Sequence, residues 1–185
     1  MTDYKHPKTA QPVGAPVDTT PSPWPGPVTL QGRYGRVERL AQHHADSLWQ
    51  QVRDADTIWT YIASSGPFAD KAAFGAWLAK RIAAEDPYAY AIIDHDERVV
   101  GTATLMSIRP AMRVIEVGSI VYAPALQRTP LGTEAQYLLA RYAIEELRYR
   151  RYEWKCDSLN APSRRAALRY GFVFEGVFRQ HMISN

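Results

Sequence analysis

The chain has 185 residues, 46% hydrophobic and 22% charged, which fits one globular core of ordinary soluble composition. No apolar run approaches the roughly 18 residues that a membrane span needs, and the single cysteine, Cys156, excludes an internal disulfide framework and a multi-cysteine zinc site. A net charge of +3 and a pI near 9.0 are too mildly basic to mark a nucleic-acid protein, so the expectation is a cytoplasmic chain with neither a membrane nor a nucleic acid as partner.

Seven of the 13 prolines fall in the first 28 residues, which lack any sustained apolar period. Residues 1–27 are therefore read as a proline-rich, disordered arm or a strap laid over the domain surface, and 28–185 as the folded domain. No apolar h-region follows a basic start, so no secretory signal is expected. The segment Pro21–Pro27 could also present a polyproline II face to a partner.

Val28 to Leu40 reads as one strand around Tyr34 and Val37, weakened by Gly32 and Gly35. Ala41, Ala45, Leu48, Trp49 and Val52 recur at helical spacing, and a short second helix follows around Ile58 to Ile62. Ser64-Ser65-Gly66-Pro67 breaks it, and Asp70 caps a third helix carrying Phe74, Trp77, Leu78 and Ile82. The period then changes. Tyr88 to Ile93 and Arg98 to Ile108 form a hairpin about the turn 94–97, and Arg113 to Tyr122 is the next strand. Leu131 to Leu147 is the strongest helix, with an apolar face of Leu131, Ala135, Leu138, Leu139, Tyr142 and Leu147. A strand at 152–157, a helix at 162–170 and a final strand at 172–182 complete the order. The fold class is α/β of the α+β type, with a mixed, mostly antiparallel sheet.

Two segments carry chemistry. Gln127-Arg128-Thr129-Pro130-Leu131-Gly132-Thr133 joins a strand to the best helix, where free amides and the helix dipole suit a pyrophosphate. Asn160-Ala161-Pro162-Ser163 opens a helix that Gly171 closes. Between Arg141 and Arg169 lie eight basic residues against four acidic ones, so the positive excess is local to this part of the chain.

From Val28 onward the sequence resembles the GCN5-related N-acetyltransferase (GNAT) superfamily, in its RimJ/RimL-like branch. Gln127, Pro130 and Gly132 stand at the defined positions of that family's Gln/Arg-x-x-Gly-x-Gly/Ala loop, and Asn160, Ser163, Gly171 and Phe172 match its later motif. Pro130 departs from the pattern by removing one N–H donor. The resemblance implies helices on both sheet faces and a V-shaped opening between the fourth strand (113–122) and the fifth (152–157). It implies acetyl-CoA as co-substrate, with the pantetheine along Ile120, Val121 and Tyr122. Gln127, Arg128, Thr129, Leu131, Gly132 and Thr133 would hold the pyrophosphate, and Asn160 and Ser163 would also touch the cofactor. Arg164 and Arg165 are further phosphate candidates.

The reaction implied is direct acetyl transfer to a primary amine, a protein N-terminus or a small molecule. Glu116, a charge among apolar strand neighbours, would receive the amine's proton, and Ser163 would serve as the acid, because Ala167 stands where many members carry a tyrosine. The alternative is a catalytically idle CoA-binding or interaction protein of the same fold. Trp59, Tyr61, Phe68 and Trp77 are candidate acceptor walls as well as core residues. Cys156 reads as a packing residue on its strand, and no metal is expected: His43 and His44, adjacent on a helix, should diverge. Family members carry one more strand after 172–182, so the expectation is truncation, an open edge, or a homodimer whose partner supplies that strand.

Overall fold

The computed structural model describes residues 4–63 and 65–182. Two short strands, β1 (Tyr4–Lys5) and β2 (Pro12–Val13), pair with each other. β3 (Thr29–Gln31) and β4 (Gly35–Arg39) follow, then a 3-10 turn (Gln42–His44), α1 (Ala45–Val52), a second 3-10 turn (Asp56–Trp59) and α2 (Lys71–Ala83). β5 (Tyr88–Asp94), β6 (Val99–Arg109) and β7 (Val114–Tyr122) precede α3 (Pro130–Arg141), β8 (Arg151–Trp154) and α4 (Ala161–Arg169).

One sheet of six strands runs in the order β3-β4-β5-β6-β7-β8, antiparallel throughout except for the parallel pair β7–β8. Alternation along β5 feeds two cores: Tyr90 and Ile92 face α3, while Ala89, Ala91 and Ile93 face α1 and α2. The small residues on the second face let Trp59, Phe68, Phe74 and Trp77 pack as one aromatic group, with ring centroids 5.1–5.6 Å apart.

Several expectations are corrected. The stretch 28–40 is not one strand but a hairpin: Gly32 N–H closes the turn on the Gly35 carbonyl at 2.9 Å, and the Arg33 and Tyr34 amides donate to the Glu134 carboxylate. The helix from Leu131 does not run to Leu147 in one form; its last turn widens to a π-helix at Tyr142–Glu146. The strand expected at 172–182 does not form. Instead Phe172 N–H returns to the Ala167 carbonyl, Phe172 stacks on Tyr152, and Glu175 is held by the Arg151 side chain. Val173, Phe174, Val177 and Phe178 are exposed. Within residues 1–27, Ser22 and Pro25 are buried, and Asp18, Pro23 and Gly26 bond to the domain.

Candidate functional site

Pairing between β7 and β8 stops at Val117 and Trp154, beyond which β7 runs on to Tyr122 and the strands part. That is the V-shaped opening. A bulge helps to re-aim β7 there: Thr104 pairs with Gly118 but Thr102 with Val121, and Ser119 takes a left-handed φ of 45°. Thr104 Oγ1 donates to the Gly118 carbonyl at 2.8 Å and pins the bend. The outer edge of residues 118–122 has no strand partner among the described residues.

Glu116 lies just below the fork. Ile115 and Val117 point into the α3-side core, so alternation turns Glu116 to the α1/α2 side, where it is 6% exposed. Ser107 Oγ donates to it at 3.1 Å, and Lys155 Nζ donates to the same carboxylate at 2.5 Å. Lys155 also bonds Glu153, which accepts from Arg151 and Arg109 as well. Burial acts against the Lys155 ammonium, but its bonds to Glu116 and Glu153 outweigh that and hold its pKa above the ordinary lysine value. In Glu153 burial is likewise outweighed by Lys155 and Arg151, which lower its pKa.

At the far end of β7, the turn 123–129 leads into α3. Thr129 is the N-cap: its hydroxyl accepts from Gly132 N–H at 3.1 Å and donates to the Leu126 carbonyl at 2.7 Å. Gly132 is required by close approach, because a Cβ there would lie 2.9 Å from the Leu126 oxygen and 3.1 Å from the Tyr122 ring. The amides of Arg128, Thr129 and Leu131 meet no acceptor among the described residues, while Pro130 has none to offer. Arg128 is exposed on a left-handed φ of 61°. Gln127 turns back and donates its amide to the Tyr122 carbonyl at 3.1 Å. Burial raises the Tyr122 pKa, which keeps its hydroxyl a donor to the Gly132 carbonyl at 2.7 Å. Val121 and Leu131 are buried in opposite cores, so only their backbones can meet a ligand, whereas Ile120 is half-buried at the edge.

The other arm of the V is β8 and α4. Asn160 Oδ1 caps α4 by accepting from Ser163 N–H at 3.1 Å. Ser163 Oγ accepts from the Trp154 indole at 3.0 Å; an indole can only donate, so the serine's own proton stays available. The end of α4 returns to the start of α3, where Arg169 donates to Thr133 Oγ1 at 2.8 Å and Tyr170 OH to the Gly132 carbonyl at 3.4 Å.

The family model for the acetyltransferase (GNAT) domain matches residues 36–173, the span that builds this opening. The chain belongs to the GCN5-related N-acetyltransferase family. It is an N-acetyltransferase by that membership. Among solved structures, a GCN5-related N-acetyltransferase from Brucella melitensis is 46% identical, with a TM-score of 0.86 over 89% of this chain and 76% of that one. A GNAT-family protein from Chromobacterium violaceum is 34% identical, with a TM-score of 0.86 over 97% and 90% of the two chains. RimL, a ribosomal L7/L12 alpha-N-protein acetyltransferase in complex with coenzyme A, has a TM-score of 0.71 at 18% identity, over 85% and 91%. At that identity the likeness is one of fold alone. No curated protein matches the sequence.

The GNAT opening gathers most of the expected residues, though from two faces. Glu116 enters from the α1/α2 side and Ser163 through Trp154 on the α3 side, and no hydrogen bond joins them among the described residues. Trp59 is core at 3% exposure, while Tyr61 reaches across to bond the Leu159 carbonyl at 3.3 Å. Cys156 is exposed past the end of β8, not packed on it, because the strand ends where the V opens. Arg164 and Arg165 are exposed on α4. Sequence reasoning does not single out Lys155 or Arg169. Both stood in the basic run, but periodicity cannot say which of its members face a cleft.

His43 and His44 do not diverge: their ring centroids are 3.9 Å apart, and with Glu38 they form the one three-residue metal-competent group among the described residues. The hydrogen bonds still argue against a metal. His44 Nδ1 accepts from Ala41 N–H at 3.0 Å, so its proton sits on Nε2, which donates to Glu38 Oε1 at 3.0 Å. A metal on Nε2 would move that proton to Nδ1, against the Ala41 amide. No helix of the described residues is long and apolar enough to cross a membrane.

Proposed function

We propose that the chain transfers the acetyl group of acetyl-CoA to a primary amine by direct attack. The observation that carries this reading is the fork itself: a parallel strand pair that parts beyond Val117 and Trp154, with a buried, ion-paired Glu116 just below it. The free edge at 118–122 suits the amide-rich pantetheine as an added strand. The unpaired amides of Arg128, Thr129 and Leu131 at the start of α3, with Arg128 and Arg169 beside them, suit the pyrophosphate. Gly132 lets the turn pack closely enough to form that cradle. Asn160 holds the start of α4 and with it Ser163.

Glu116 takes the proton that the attacking nitrogen sheds as the new C–N bond forms. Ser163 Oγ, held by Trp154, gives a proton to the sulfur as the C–S bond breaks. Glu116 then releases its proton to solvent and Ser163 regains one from it, so the net transfer is one proton from amine to thiolate, and orientation in the fork supplies much of the rate. The acceptor is a protein N-terminus or a small amine, taken from the side where Glu116 and Tyr61 lie.

Thiol release with acetyl-CoA and an amine panel tests the reading. Glu116→Gln is expected to lower kcat by about 10²-fold or more while CoA affinity stays within about twofold. Unchanged turnover would remove Glu116 from the mechanism. Saturable CoA binding with no thiol released on any amine would favour the idle CoA-binding reading instead, for which Ala167 at the usual tyrosine position is the motive.

A further inference from the structure

The sheet side that receives Glu116 also carries a cation without a counter-charge. Arg81, in the last turn of α2, is 8% exposed. Its guanidinium lies over the Trp77 ring, 4.9 Å from the centroid, and one terminal nitrogen donates to the Ser119 carbonyl at 3.0 Å. Its Nε–H is buried and meets no acceptor among the described residues. Burial is the one influence on its titration and pushes its pKa down to about 10, so it remains a cation at neutral pH. Arg81 is the one arginine or lysine that is buried among the described residues; the half-exposed Lys155 and Arg36 each have two carboxylates, and the half-buried Arg39 donates to three backbone carbonyls.

A buried guanidinium normally arrives with a carboxylate, because desolvating it alone is costly. Here no carboxylate takes that place among the described residues, and the position is a particular one. Ser119 is two residues beyond Val117, the last residue of β7 to pair with β8. Glu116 lies three residues before Ser119 on the same strand, with its side chain on the side of the sheet that carries Arg81. The phosphate-binding amides of α3 belong to the opposite side of the sheet, so the missing anion is not supplied by the phosphates of CoA.

We propose that Arg81 binds a carboxylate carried by the amine acceptor, which makes the substrate an amino acid or a peptide whose N-terminal residue is followed by an acidic side chain. The inference rests on the acetyl-transfer reading above and names the acceptor class for that same site. The planar fork of Arg81 has Nε–H free beside a terminal N–H, the pair of donors that a carboxylate takes in bidentate fashion.

The test compares full-length wild type, Arg81→Met and Arg81→Lys for thiol release from acetyl-CoA. Acceptors are L-α-amino acids, each paired with its α-amide, and dipeptide amides with Asp or Asn in second place. The best acid is expected to exceed its neutral partner by about tenfold or more in kcat/KM, mostly through KM. In Arg81→Met the ratio should fall to within about threefold, and Arg81→Lys should restore part of it. Preference among free amino acids assigns the α-carboxylate, and preference for Asp over Asn assigns the side chain. A wild-type ratio near one, or a ratio unchanged in Arg81→Met, overturns the proposal. Melting shifts of the CoA-saturated protein with the same acids and amides give a readout without turnover. If no acceptor releases thiol, the transfer reading fails, yet an acid-specific shift lost in Arg81→Met still upholds the anion site, and its absence overturns it. Arg81→Met without ligand should melt at or above wild type; a lower melting point with the acid preference intact marks Arg81 as structural and also overturns the proposal.

Discussion

His44 is nearly fully buried and held by two bonds that need a neutral ring: Nδ1 accepts from Ala41 N–H and Nε2–H donates to Glu38. Protonation would set a second N–H against the Ala41 amide. Burial, the largest influence, lowers the His44 pKa below its ordinary 6.5, and Glu38 only partly opposes it. The unfolded chain therefore takes up a proton before the folded one does. The stability this group contributes is complete above about pH 6.5 and is lost as pH falls through the lower folded value. The melting temperature should be level between about pH 8 and 7 and decline below 6.5. His44→Gln should melt lower at pH 8, having lost roughly 1–3 kcal/mol of buried bonding, but decline less between about pH 6.5 and 5. An equal acid slope in wild type and variant would assign the decline elsewhere. Lys155 has the opposite sign: its raised pKa contributes stability that is present below about pH 10.5 and lost as pH rises through the folded value. Neither environment was legible from the chain, because the partners Glu38 and Glu116 lie on strands that meet these residues only after folding.

At the scale of elements, the caps were the most readable feature. Asp70 accepts from Ala73 N–H at 2.8 Å at the start of α2, as its position before an amphipathic run implies. Asp70→Ala should cost about 1 kcal/mol and lower the melting temperature by a few degrees, without changing CoA affinity. Gly132 is the contrasting case. Its need comes not from its own φ but from Leu126 and Tyr122 closing over it, so Gly132→Ala must displace the turn before α3. We expect a destabilisation of roughly 1–3 kcal/mol together with about tenfold weaker CoA binding by calorimetry. Weaker binding at unchanged stability would mean direct obstruction, and unchanged binding would detach this turn from the cofactor. The elements that sequence reasoning mistook share a cause. The hairpin at 29–39 turns where Glu134, a hundred residues on, takes the Arg33 and Tyr34 amides, and Phe172 and Glu175 are held by Tyr152 and Arg151 side chains, contacts that local periodicity does not report.

At the scale of the whole molecule, the opening depends on long-range packing, and so does the proline-rich segment across its back. The α3-side core presents three tyrosine hydroxyls to residues 23–26: Tyr149 OH donates to the Pro23 carbonyl at 3.1 Å, Tyr90 OH to the Gly26 carbonyl at 3.2 Å, and Tyr142 OH accepts from Gly26 N–H at 3.0 Å. Ser22 N–H adds a bond to the Pro110 carbonyl at 3.2 Å. Burial holds the Tyr149 hydroxyl near pKa 12, consistent with a donor kept from water. The pair Tyr4–Lys5 and Pro12–Val13 is exposed along its length and bonds to itself. Two truncations should therefore behave differently. Removing residues 1–17 leaves every one of these bonds and should shift stability by no more than about 0.5 kcal/mol. Removing residues 1–27 deletes four bonds and the buried Pro25, a loss of roughly 2–5 kcal/mol that should lower the urea midpoint by about 1 M or more. The exposed Arg113–Asp18 ion pair adds little to that difference. Equal midpoints for the two truncations would show that residues 18–27 ride on the domain without holding it, and would return the domain boundary to residue 28.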